Sequence, residues 1–274
     1  MEKFADYISK IEILSLWSGR KHIIWELSPE VNILSGVNGV GKSTILNKMI
    51  GELHHKTSEL KNGIVPGVYM NFSPADATTV HFDVIRSFDN QLIPGSILTK
   101  VDDVDIRSEL DWRLYGLQRR YLDYQVNIGN KMIAILTKGG ADAQAKAMEV
   151  SKAKTHFQDL IDQLFDDTKK RIDRNSNELR FLQYDEQLSP YTLSSGEKQM
   201  LVILLTTLLQ NGQPYVLFMD EPEVSLHVEW QEKLINIVRS MNPKAQIILT
   251  THSPAVVMNG WTDAVTEVSD ITRE

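Results

Sequence analysis

Apolar and polar positions follow two different periods along this chain. Ile11 to Leu16 and His22 to Leu27 carry β-branched and apolar residues at strand length, and Val68 to Phe72 and Thr79 to Ile85 repeat that pattern. Val31-Asn32-Ile33-Leu34-Ser35 predicts a further strand that runs straight into a glycine-rich turn. Ser43, Ile45, Leu46, Met49 and Ile50 then predict a helix, with Gly51 as its C-terminal stop. Between about Asp102 and Arg180 the spacing turns helical. Leu110, Leu114, Leu117, Tyr121 and Tyr124 form one stripe, Phe157, Leu160, Ile161, Leu164 and Phe165 a second, and Gly139-Gly140 marks a turn between helices. The stripes read as packing seams, because two heptads are too few for a long coiled-coil arm. The last third returns to an α/β alternation. Tyr215 to Met219 and Gln246 to Thr250 are largely apolar runs of the kind found in parallel strands covered on both faces, and helices are predicted over Glu197 to Gln210 and Val228 to Met241.

Composition narrows this picture. The chain of 274 residues is 42% apolar, enough for a sizeable core. Its formal charge is −7, from 29 basic and 36 acidic residues, and residues 102–180 balance at 14 of each. Neither the whole nor the helical region carries a nucleic-acid footprint, although a local basic groove is compatible with both. With no cysteine, disulfides, thiolate metal sites and thiol nucleophiles are excluded. Met1 to Leu14 has no signal-peptide core, and the longest apolar run, Leu201 to Leu209, is broken by Thr206 and Thr207 and far short of the roughly twenty residues a membrane span needs. The expectation is a soluble, cytoplasmic protein with no membrane partner.

Chemistry enters at Gly36-Val37-Asn38-Gly39-Val40-Gly41-Lys42-Ser43, a phosphate-loop pattern of Gly, four residues, Gly-Lys and Ser, followed by Thr44. Glycines let successive N–H groups turn inward around phosphate oxygens, and the helix start adds its positive dipole end. Lys42 would reach the β- and γ-phosphates of ATP, and the Ser43 hydroxyl would ligate Mg²⁺. Phe218-Met219-Asp220-Glu221 is an apolar strand ending in two carboxylates. Asp220 is placed to bind the metal shell and Glu221 to sit beside an attacking water as general base. Leu193-Ser194-Ser195-Gly196-Glu197 opens a helix with a hydroxyl and free N–H groups, which suits an anion. His252 follows the strand at Ile247 to Thr250. Taken singly, each of the last three has a plainer reading: solvated acids at a strand end, an ordinary helix cap, a surface histidine.

Their order along the chain gives them joint meaning. The sequence resembles the ABC ATPase superfamily, whose signature motif is usually written LSGGE or LSGGQ; Ser195 stands where the first glycine is usual. The resemblance implies an α/β P-loop ATPase head with a mainly parallel core sheet, an N-terminal antiparallel β portion and a helical subdomain. It divides the single domain 1–274 into an N-terminal lobe 1–101, a helical insertion 102–182 and a C-terminal lobe 183–274. It further implies that the signature Ser194, Ser195, Gly196 and Glu197 acts in trans, with Ser194 and the Gly196 backbone contacting the γ-phosphate bound by an opposite protomer, so that ATP and Mg²⁺ are held in a homodimer. His252 is then the switch histidine contacting the γ-phosphate, and Gln91 the candidate for the glutamine that senses Mg²⁺. Asn38, Glu223 and Ser225-Leu226-His227 differ from membrane-transporter cassettes, the alternative reading being a nucleotide-binding subunit of such a transporter. They are similar to soluble cassette ATPases: SMC-type and RecF-like heads, OLD-family ATPases, and small bacterial ATP-binding proteins, some with relatives in anti-phage defence of the Septu type. The partner this resemblance implies is a separate effector protein, such as a nuclease, or a nucleic-acid-processing complex acting on DNA, as in DNA repair or anti-phage defence.

Overall fold

The computed structural model describes residues 3–17, 20–57, 67–86 and 106–273. They form two compact units, one from Met1–Ser87 and Gly212–Glu274, the other from Phe88–Asn211.

Among the described residues, the first unit is built on two larger sheets and a two-stranded pair. One is a five-stranded parallel sheet in the order β13 (Val265–Glu267), β4 (Val31–Ser35), β12 (Ala245–Thr250), β11 (Tyr215–Asp220), β7 (Phe82–Arg86). The apolar runs occupy its centre: every residue of β12 and the first four of β4 are buried. The other is antiparallel, in the order β14 (Thr272–Arg273), β3 (Lys21–Glu26), β2 (Tyr7–Leu16), β5 (Val68–Ser73). Gln246, buried in β12, joins the two. Its amide nitrogen donates to the carbonyls of Ile8 (2.8 Å) and Ser28 (2.8 Å), and its oxygen accepts from the Ile8 N–H (2.9 Å). Ile8 stands where the register of β2 against β5 shifts, so a side chain there satisfies backbone groups that the ladder leaves over.

Helix α1 (Lys42–Thr57) starts at the phosphate loop and runs past Gly51, the predicted stop. Leu53 is fully buried and extends the stripe of Ile45, Leu46, Met49 and Ile50 by another turn, and that burial outweighs the roughly 1 kcal/mol that a mid-helix glycine costs. The strand predicted over Thr79 to Ile85 is two. β6 (Thr79–Val80) pairs with β1 (Phe4–Ala5), and after His81 the chain enters β7 beside β11. Helices α5 (Val228–Met241) and α6 (Pro254–Met258) follow β11 and β12.

In the second unit, α2 (Glu109–Lys138) and α3 (Ala143–Leu164) flank the turn at Gly139-Gly140. Their predicted stripes are inward: Leu110, Leu114, Leu117 and Tyr121 are buried on one, Phe157 and Ile161 on the other, and the rings of Tyr121 and Phe157 meet at 5.8 Å. A three-stranded antiparallel sheet, β8 (Arg171–Ile172), β9 (Phe181–Gln183) and β10 (Glu186–Leu188), has no counterpart in the sequence reading, its strands being too short to show a period. Helix α4 (Ser195–Leu209) is buried continuously from Gln199 to Leu208.

Candidate functional site

Strand β4 delivers the phosphate loop at the C-terminal edge of the parallel sheet, where α/β folds place their ligands. Two glycines are dictated by space as well as by backbone. Gly36 has φ +146°, and a Cβ there would lie 2.9 Å from the Val40 side chain. Gly41 has φ +105°, and a Cβ would come within 2.7 Å of the Trp17 ring. Asn38 and Gly39 are exposed, Val40 half-buried, and Thr44 exposed on the first turn of α1.

Lys42 is only 4% exposed. Its ammonium donates to the carbonyls of Gly36 (3.0 Å) and Val37 (3.3 Å) and lies 3.5 Å from His252 Nδ1. Burial pulls its pKa below the ordinary lysine value, while the carboxylates of Glu221, Asp220 and Glu223 act in the opposite direction. The loop curls around its own lysine.

Strand β11 ends beside it. Asp220 Oδ1 accepts from the hydroxyls of Ser43 (2.8 Å) and Thr250 (2.6 Å). Glu221 has φ +47°, a left-handed conformation that costs a non-glycine residue of order 1 kcal/mol. Its N–H is fixed by the Thr250 carbonyl and hydroxyl, both at 3.1 Å, and its Oε1 meets His252 Nε2 at 2.8 Å. One imidazole therefore stands with a nitrogen toward the lysine and a nitrogen toward the carboxylate.

Lys42, Ser43, Asp220, Glu221 and His252, predicted from separate motifs, thus fall into two linked sets within one unit, Ser43 on Asp220 and Lys42 through His252 to Glu221. The oxygen set fits Mg²⁺. Ser43 and Asp220 present hard donors side by side, and Mg²⁺ takes one or two carboxylates together with substrate phosphates rather than an all-protein cage. Among the described residues there is no group of three or more His, Cys, Asp or Glu that could hold a metal ion. Gln91 lies outside the described residues.

The Ser194–Glu197 turn belongs to the second unit. Ser194 caps α4: its hydroxyl oxygen accepts from the Glu197 N–H (3.3 Å), and its own N–H donates to Glu197 Oε2 (2.9 Å). Ser194 and Ser195 are exposed and Gly196 is half-buried. Glu197, 3% exposed, turns inward to Lys170 (2.8 and 3.0 Å) and Thr168 (3.0 Å). Burial alone would raise its pKa; the hydrogen bonds from Lys170, Ser194 and Thr168 together outweigh it and hold the pKa below the usual carboxylate value.

Three contributors carry no motif. Trp17, 40% exposed, sits at the end of β2 against Gly41, with Lys21 Nζ 5.2 Å from its ring centroid. Thr250 reads in sequence only as the last residue of an apolar strand. Glu223 reads as a branch marker, while its partners Thr251 and His252 are folded against it from another loop.

A phosphate loop feeding a helix beside a carboxylate-tipped parallel strand defines a P-loop nucleotide-binding domain. The chain belongs to the AAA ATPase family described as "AAA domain, putative AbiEii toxin, Type IV TA system", whose model matches residues 31–259. Two relatives share shorter segments. Septu protein PtuA of Bacillus thuringiensis is 48% identical over 42 residues, covering 15% of this chain and 11% of that protein. "Retron Vc95 probable ATPase" of Vibrio cholerae serotype O1 biovar El Tor is 28% identical over 97 residues, covering 31% of this chain and 19% of that protein. The matched segments thus span less than a fifth of either relative. Among solved structures, the Smc head bound to the C-winged helix domain of ScpA aligns over 92% of both chains, with 12% identity and a TM-score of 0.52, a likeness of fold alone. Among the described residues, no helix is long and apolar enough to cross a membrane.

Proposed function

We propose that this protein hydrolyses Mg-ATP held between two head-to-tail copies of itself and uses the cycle to switch a partner protein. The observation that supports it most is the contact set at the strand tips: a buried lysine, a serine on an aspartate, and a glutamate on a histidine, all around one phosphate loop. In this reading the loop amides and Lys42 bind the β- and γ-phosphates, and Lys42 exchanges the Gly36 and Val37 carbonyls for phosphate oxygens. Ser43 and Asp220 would hold Mg²⁺, which supplies charge neutralisation on the transferred phosphoryl group. Glu221 accepts the proton of the water that attacks the γ-phosphorus as the bond to the ADP oxygen breaks, giving ADP and phosphate. His252, between Lys42 and Glu221, orients the carboxylate; as Lys42 leaves for the phosphate oxygens, the ring nitrogen that faced it is freed to contact the γ-phosphate. Trp17 offers an aromatic surface beside Gly41 for the adenine ring.

The second copy would supply Ser194 and the Ser195 and Gly196 amides. The Ser194 oxygen already accepts the capping bond, which leaves its O–H free to donate outward to an anion. Shared segments with PtuA and with a retron ATPase support a role in defence against phage. In this reading the switched partner is a separate effector such as a nuclease. Lys42→Ala tests the reading: binding of labelled ATP in the presence of Mg²⁺ is expected to be lost, and binding equal to the parent's would refute the phosphate-site assignment.

A further inference from the structure

The loops leaving the tips of β11 and β12 are tied together by side chains that the hydrolysis reaction does not consume. Glu223 lies two residues beyond Glu221 and is 7% exposed. Its Oε1 accepts two bonds from the other loop, from the Thr251 hydroxyl (2.5 Å) and from the His252 N–H (3.0 Å). The Thr251 oxygen in turn accepts from the Ser253 N–H (2.9 Å). Gln231, on the first turn of α5, closes the circuit. Its oxygen accepts from the Ser253 hydroxyl (2.6 Å), while its nitrogen donates to the Leu226 carbonyl (2.9 Å) and, more weakly, to that of Glu223 (3.4 Å).

The remaining oxygen, Glu223 Oε2, is buried without a hydrogen-bond partner. Stability does not account for such a group, since a half-satisfied buried carboxylate costs more than an apolar residue of similar size. What it achieves is local. The His252 side chain is more than a third exposed, so packing does not hold its ring. The ring is defined by its contacts with Lys42 and Glu221 and by the backbone that Glu223 grips.

We propose that Glu223 is a positioning residue: by fixing the Thr251-His252 main chain from the β11 side, it holds the His252 ring in register with Lys42 and Glu221. This rests on the reading of the site as an ATPase centre, but it makes a claim of its own about where His252 stands in the nucleotide-free protein. Glu223 acts through His252 and touches neither phosphate nor water. A misplacement of about 1 Å in such a group costs on the order of 100-fold in rate while leaving the phosphate contacts intact.

The experiment compares Glu223→Ala, Glu223→Gln and Thr251→Val with the parent, each in the presence and absence of His252→Ala. In steady-state ATPase assays Glu223→Ala is expected to lower kcat by roughly 10- to 100-fold, with KM within about threefold. Glu223→Gln keeps an acceptor oxygen for both donors and restores most of kcat, and Thr251→Val, which removes one donor, loses several-fold. In the His252→Ala background, Glu223→Ala adds no further loss, because a residue acting through another has nothing left to act on. The second readout needs no turnover: the ring ¹⁵N resonances of His252 in the nucleotide-free protein shift in Glu223→Ala and keep their parental positions in Glu223→Gln. Parental kcat in Glu223→Ala, an equal loss in both backgrounds, or unmoved His252 resonances would overturn the proposal. A parent chain that does not turn over ATP overturns the ATPase reading instead, and the resonances then decide the clamp by themselves. Should Glu223→Ala not fold, Thr251→Val carries both readouts.

Discussion

Glu221 is where the proposed chemistry concentrates. Glu221→Gln keeps size and hydrogen bonding but removes the basic carboxylate, and loss of a positioned base costs about two to four orders of magnitude in rate. A negative charge near the γ-phosphate goes with it, so ATP affinity is expected to hold or rise and an ATP-bound dimer to accumulate, visible by sedimentation. Turnover at the parental rate would remove Glu221 from the base role, and an inactive variant that never lingers as a dimer would count against the switch. Gly41 makes a separate prediction. Gly41→Ala adds a Cβ 2.7 Å from the Trp17 ring and puts alanine at φ +105°. Trp17→Ala relieves the first problem and leaves the second, so the double variant still unfolds in urea with a deficit of about 1–3 kcal/mol against Trp17→Ala. Residue-scale legibility was uneven for a physical reason. Lys42, Ser43, Asp220 and Glu221 stand in fixed local patterns because one loop or one strand tip dictates them. Thr250, Trp17 and the grip of Glu223 on His252 depend on which loops lie side by side, and no spacing along the chain records that.

At the scale of the element, the Glu197 capping box is tied through Lys170 to the segment just before β8. Glu197→Ala leaves the Lys170 ammonium, largely buried, without its counter-charge and the first turn of α4 without its cap. Roughly 3 kcal/mol of stability is expected to be lost. Because the folded pKa of Glu197 is depressed, the unfolded chain binds its proton first. The stabilisation is therefore full above the ordinary carboxylate pKa and is lost as pH falls through the lowered folded value. Urea unfolding followed from pH 7 down to pH 3 should show a shallower acid dependence in Glu197→Gln than in the parent; parallel curves would mean that the pairing is spent already in the unfolded chain. Element by element, the long amphipathic helices and the buried parallel strands were legible because period and burial coincide. Gly51 was misleading, since the buried Leu53, two residues on, carries α1 past it. The short strands β8, β9, β13 and β14 span two or three residues each, too few for any period to form.

At the scale of the whole molecule, the proposed composite site makes turnover a property of two copies. Specific activity is expected to rise with protein concentration. Ser194→Arg, at an exposed cap away from the phosphate loop in sequence, is expected to abolish turnover while ATP binding is retained in filter assays. Activity strictly proportional to enzyme concentration across the monomer–dimer range would exclude the shared site. The parallel sheet itself has a consequence for synthesis. Among the described strands, β4 pairs with β13 and β12, and β7 pairs with β11, all encoded after the second unit. A ribosome adding about 5–20 residues per second needs roughly 6–25 s to translate the intervening stretch. Throughout that interval the emerging first segment carries a finished phosphate-loop sequence on a strand with neither neighbour, an apolar edge on offer to chaperones and to other nascent chains.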